Sequence, residues 1–156
     1  HGHHRSKIGK YGLCGTFEPS RQLAGIQGIR TALPYQRQRL LDDLLFGNSD
    51  FGQADYINDM FFNCTGLVNL TGIRNVGKGF YVNTSANNSS YTFWLSSSNN
   101  ITHESLIDII VNGLYDLNLT FNGNLKTQQL LLGSTNLAKL TAEEIAIATA
   151  KGWTVS

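Results

Sequence analysis

Charge is scarce in this 156-residue chain: 12 Lys and Arg against 11 Asp and Glu make up 15% of it and leave a formal net charge of +1. A balance so close to neutral lacks the electrostatic footprint with which proteins hold nucleic acid or an anionic membrane, so no nucleic-acid partner is expected. Long apolar runs are missing as well. Nothing approaches the ~18 consecutive apolar residues of a membrane-crossing helix, so no membrane span is expected, and no signal peptide is visible, which leaves targeting information to any sequence upstream. Cysteine is limited to Cys14 and Cys64, which have no histidine partner at a recognisable spacing. A pair of buried thiols is the expected state, with a disulfide as the alternative.

Catalytic groupings are thin too. His103, Glu104 and Asp108 are close in sequence, yet they fall in the opening turns of an expected helix, where acids complement the helix dipole, and no nucleophile accompanies them. The cluster His1-Gly-His-His has the make-up of a tag or an accidental tail. The expected protein is therefore not an enzyme and holds no cofactor and no metal. Its numerous Asn-X-Ser/Thr triplets, such as those at Asn63 and Asn100, are expected by chance in so Asn-, Ser- and Thr-rich a sequence.

What the chain does contain is an internal repeat. Phe17, Leu23, Ile26, Gly28, Ile29 and Arg30 align without gaps on Phe61, Leu67, Leu70, Gly72, Ile73 and Arg74, an offset of 44 positions. A second pair is looser: aligning Leu95 with Leu132 and Thr102 with Thr141 makes residues 91–114 and 128–153 two copies of a strand, loop and helix. Fixed offsets of this size mark stacked supersecondary units, none of which can bury its apolar face alone. The fold expected is an α/β solenoid of short parallel strands with helices on one side.

Several elements can be placed. Tyr91 to Ser96 alternates, with Tyr91, Phe93 and Leu95 on one side and Thr92, Trp94 and Ser96 on the other, while Gln128 to Gly133 is a shorter apolar run. Residues 102–114 read as a helix capped by Thr102 and stopped near Gly113. Residues 141–152 read as another, with a capping box in Thr141 and Glu144. Ala54 to Phe62 is expected to be helical and Leu67 to Ile73 extended. Pro34 to Gly47 reads as a helix with leucines 40, 41, 44 and 45 on one face. The chain then divides into a basic N-terminal segment, 1–50, holding a degenerate first repeat and that inserted helix, and a repeat domain, 51–156, whose last residues form a C-terminal cap. Lacking an initial methionine and opening partway into a repeat, the chain is expected to come from a longer parent.

The run Tyr56-Ile-Asn-Asp-Met-Phe-Phe-Asn-Cys-Thr-Gly-Leu-Val-Asn-Leu resembles the repeat of BspA-like leucine-rich repeat surface proteins. From Leu95 onward, and above all in Leu132-Gly-Ser-Thr-Asn-Leu-Ala-Lys-Leu-Thr141 and Ala148-Thr-Ala-Lys-Gly-Trp-Thr154, the chain is similar to a terminal segment of repeat proteins from gut bacteria and of tail or fibre proteins of their phages. The resemblance implies a leucine-rich-repeat-like solenoid. It also implies a non-catalytic scaffold for attachment, host recognition or structural display, on a virion or on a cell surface. The partners it implies are other virion or cell-surface subunits and a host surface glycan or protein, with homo-oligomerisation left open.

The residues singled out for ligand contact are Tyr91 and Trp94, in the exposed strand, with Trp94 on its outward face, and Arg30 and Arg74, at matching repeat positions where a stacked edge ladder is the structural alternative. A carbohydrate-binding adhesin docking through that strand face is the second functional expectation.

Overall fold

The computed structural model describes residues 43–52, 60–78, 91–119 and 128–156. These form a mixed α/β arrangement of short parallel strands and few helices, without a closed barrel. Strand β1 (Asp43–Asp50) pairs in parallel with β2 (Asn69–Arg74). A second sheet has the order β3–β4–β5, from Tyr91–Trp94, Gln128–Leu131 and Trp153–Val155, again all parallel. The repeat partner of residues 58–74, at 14–30, lies outside the described residues.

The helix expected over 34–46 is not helical where it is described: residues 43–50 are β1. Leu44 and Phe46 are buried while Leu45 is half exposed, the period of two that a half-buried strand requires. The strand then bulges. Gly47 and Asn48 take positive φ of 61° and 67°, and the register jumps from Leu45↔Thr71 to Ser49↔Ile73, so residues 46–48 together oppose Gly72. The helix expected to run through Phe62 likewise gives way at its described end, where Met60–Asn63 is a turn. Asn63 at φ 61° and the Cys64 N–H to Phe61 carbonyl bond of 3.2 Å make that turn, and residues 54–59 lie outside the described part.

The C-terminal elements follow the sequence more closely. Helix α1 (His103–Asp108) starts at Thr102, whose hydroxyl accepts the Ser105 N–H at 3.2 Å, and continues as a π-helical turn over Ile109–Gly113. After the short helix α2 (Gly133–Leu137), helix α3 (Ala142–Ala150) carries the full capping box: Glu144 N–H to Thr141 Oγ1 at 3.1 Å and Thr141 N–H to the Glu144 carboxylate at 2.8 Å. Residues 151–156, expected to be part of a cap, include β5, which lies along β4.

Three consecutive segments, 60–78, 91–119 and 128–156, are hydrogen-bonded side by side. The first meets the second at Thr102 N–H to Val68 carbonyl (2.9 Å), Val76 N–H to Gly113 carbonyl (2.9 Å) and Tyr115 N–H to Val76 carbonyl (2.9 Å). The second meets the third through the β3–β4 register Tyr91↔Gln128 and the Leu117 N–H to Lys151 carbonyl bond of 2.8 Å. Between those contacts helix α1 lies beside β2, and its side chains take the place of a neighbouring strand: Ser105 Oγ accepts from Leu70 N–H (3.0 Å) and Asp108 Oδ2 from Gly72 N–H (2.9 Å). Alternate N–H groups along the β2 edge are satisfied in this way, which removes a template for strand addition.

The core is continuous through all of this, with Leu67, Leu70, Ile73, Leu95, Ile101, Ile109, Leu130 and Leu132 fully buried. A column of edge-to-face rings links Phe51 to Phe46 (5.5 Å), Phe46 to Phe61 (6.3 Å) and Phe61 to Phe93 (5.7 Å). A polar corner runs beside it. Buried Ser98 donates to the Cys64 carbonyl at 2.9 Å, and buried Asn136 donates to the carbonyls of Leu95, Ser98 and Leu132 at 3.1–3.3 Å.

Buried Cys64 is disulfide-bonded, not a free thiol as the sequence led us to expect. The chain's other cysteine, Cys14, lies outside the described residues. Among the described residues no helix is long and apolar enough to cross a membrane.

Candidate recognition surface

The three-stranded sheet has an inner and an outer face. Phe93, Leu95, Gln128, Leu130 and Trp153 point into the core, and Gln128 and Trp153 meet their polar needs there, donating to the carbonyls of Gly77 (3.1 Å) and Tyr115 (2.9 Å). The alternate residues, Thr92, Trp94, Gln129, Leu131 and Thr154, form the outer face. Trp94 is half-buried and stands in register beside Leu131. Its Nε1 donates to Ser96 Oγ at 2.6 Å, and on the other side the ring of Phe62, 38% exposed, packs against it edge-on at 5.2 Å. One row along, Thr92 Oγ1 is 3.0 Å from Gln129 Oε1 and donates to it.

Of the residues singled out in the sequence, Trp94 lies on the outer face with Thr92 and Ser96, as its alternation requires. Tyr91 belongs to β3 through its backbone, and its side chain lies outside the described part, as does Arg30. Arg74 belongs to the other sheet, where Nη1 donates to its neighbour's carbonyl (Ile73, 2.7 Å) and pairs with Asp108 Oδ2 at 3.5 Å. Phe62 is the surface residue that sequence reasoning missed. Its signal was the second aromatic of Met60-Phe61-Phe62, a run of three large apolar residues of which the turn buries the first two and leaves the third at the surface.

Asp108 departs from its expected role at a helix start. It is the last residue of α1, and its carboxylate accepts from Gly72 N–H and from Asn112 Nδ2 (3.0 Å) beside the Arg74 guanidinium. Burial alone would push this carboxyl up, but the backbone and Asn112 hydrogen bonds and the Arg74 charge outweigh it and hold it below the ordinary aspartate value of 3.8. With the folded pKa depressed, the stability it contributes is complete above the ordinary value and is lost as pH falls through the folded one. Asp108→Asn should therefore melt below the parent protein at neutral pH, and the gap should narrow as pH falls below the ordinary aspartate value, read by circular dichroism melts. A gap independent of pH would show that the carboxylate charge plays no part.

Two lysines and a histidine also serve the join between segments. Lys139 Nζ donates to the carbonyls of Asn99 and Ile101 (2.7 Å each) and to Asn136 Oδ1 (2.9 Å). Lys151 Nζ donates to the carbonyls of Ile110 and Val111 (2.7 Å each) and Leu114 (3.2 Å), closing the end of the π-helical turn. Each ammonium thus spends all three of its protons on protein oxygens. Burial lowers both lysine pKa values, opposed at Lys151 by the charge of Asp116. His103 Nε2 lies 2.9 Å from the Glu144 carboxylate, joining α1 to α3. Among the described residues no group of three or more His, Cys, Asp or Glu could hold a metal ion. Comparison of the chain with protein-family models, with curated proteins and with solved structures finds no match.

Proposed function

We propose that this chain is a non-catalytic recognition or structural display module, built as a leucine-rich-repeat-like solenoid and carried on a phage tail or fibre or on a bacterial cell surface. The observation that carries the reading is how the polar side chains are used. Between segments they bond backbone groups of the neighbouring segment: Ser98 and Asn100 on the turn at Cys64–Thr65, Ser105 and Asp108 on β2, Asn136 and Lys139 on residues 95–101, Lys151 on the π-helical turn. Groups that an enzyme would hold poised for substrate are occupied in holding units together, and a solvent-facing sheet surface is left for contact. The disulfide at Cys64 supports a setting outside the reducing cytosol. Residues 141–156, with their capped helix and edge strand, act as the C-terminal cap.

Immunogold labelling with an antibody to this chain tests the setting. Label on tail structures of purified particles or on the outer envelope of intact cells is the expected result. Label confined to the cell interior would overturn the proposal.

A further inference from the structure

We propose that the outer face of β3–β4 binds a neutral, hydroxyl-rich saccharide on a strip made by Phe62, Trp94 and Leu131. The inference rests on the recognition reading above and names the ligand class. The strip crosses three segments, one residue from each: the Phe62 ring packs against Trp94, and Trp94 is in register with Leu131. A sugar ring offers an apolar face of C–H groups bordered by hydroxyls, and the surface mirrors that division. Apolar side chains form the strip, and hydroxyl and amide groups flank it, Thr92 and Gln129 in one direction and Ser96 in the other.

None of these six side chains carries a charge, so the described part of this face offers nothing to neutralise an acidic sugar, a phosphate or a charged peptide. The indole is already fixed by its bond to Ser96 and its contact with Phe62, so little rotamer freedom is lost when a ring stacks on it. The Thr92 hydroxyl donates to Gln129 Oε1, which leaves the Gln129 amide protons to donate to a ligand hydroxyl. A three-residue strip is also far smaller than the roughly 800 Å² per partner of a stable protein interface, whereas it is on the scale of a short saccharide.

The test is a fluorescence titration of the full chain with neutral trisaccharides built on glucose, mannose and N-acetylglucosamine, with sialyllactose as the acidic comparison. Trp153, the only other tryptophan, is buried and hydrogen-bonded inside, so a saturable change reports Trp94. At least one neutral trisaccharide should give saturation. Trp94→Ala should then weaken binding, followed by calorimetry, about tenfold or more, and Phe62→Ala and Gln129→Ala by smaller factors, with melting temperatures unchanged for the glutamine variant. Trp94→Phe should recover part of the affinity. Absence of saturation with every neutral sugar, preference for sialyllactose, or unchanged affinity in both Trp94→Ala and Gln129→Ala would each overturn the proposal. If the chain is found on particles or envelopes yet binds no neutral sugar, the recognition reading stands and this inference alone falls.

Discussion

Replacing Gly72 by alanine should cost at least about 3 kcal/mol of stability and separate β1 from β2, because two independent penalties meet at one residue. Gly72 has φ +83°, a conformation that L side chains rarely adopt, and a methyl placed there would lie 2.4 Å from the backbone nitrogen of Gly47 and 2.9 Å from that of Asn48. The obstacle is main chain and cannot swing aside. Residues 46–48 bulge over Gly72 because the missing side chain leaves room for them. Urea unfolding of Gly72→Ala measures the loss, with Gly47→Asn as the control. Gly47 is exposed, and its φ of 61° is one that Asn48, next to it, already adopts. Equal stability of the alanine variant and the parent would refute the account of the bulge.

The second large effect is expected at Cys64. Its disulfide sits at the turn where the ring column and the polar corner meet, with Ser98 bonded to its carbonyl. A native disulfide of this kind contributes about 2–5 kcal/mol, attributed chiefly to constraint of the unfolded chain. Cys64→Ser should lower the melting temperature by an amount that reductant reproduces in the parent and does not increase in the variant. A parent protein that melts identically with and without reductant would contradict this. The functional corollary is that material made in a reducing cytosol should be markedly less stable than material folded under oxidising conditions.

How much of this could be read in the sequence depends on whether a residue's period and caps spoke with one voice. In β3 and β4 they did. Aligning Leu95 with Leu132 implies an offset of 37, and the strands pair at that offset, Tyr91 on Gln128. Thr102, Thr141 and Glu144 cap helices as their types and spacing require. In residues 40–46 the signals conflicted. Leucines at 40, 41, 44 and 45 fit a helical stripe, but Leu44 and Phe46 inside with Leu45 outside fit a strand, and the bulge at Gly47–Asn48 comes from pairing with a segment more than twenty residues on. Strand β5 is too short to carry a period of its own and is set by its edge position on β4. The bond at Cys64 was illegible because distance in space, not spacing in sequence, decides it. For the surface, the outward side of Trp94 followed from alternation, whereas the Phe62 ring beside it followed from a turn where a helix had been expected.

The bonds that tie the segments run mostly one way: the side chain belongs to the later segment and the backbone group to the earlier, as with Ser98 on Cys64, Asn136 on Leu95, Lys139 on Ile101, Lys151 on Leu114 and Trp153 on Tyr115. Asn118, which reaches forward to the Ala150 carbonyl, runs against that direction. On the ribosome, therefore, residues 60–78 and 91–119 emerge with carbonyls whose donors have yet to be synthesised. In chain order, these stretches of main chain are completed by side chains that are translated after them. Trimming from the C-terminal side strips those donors away, while trimming from the other side removes mainly groups that wait to receive them.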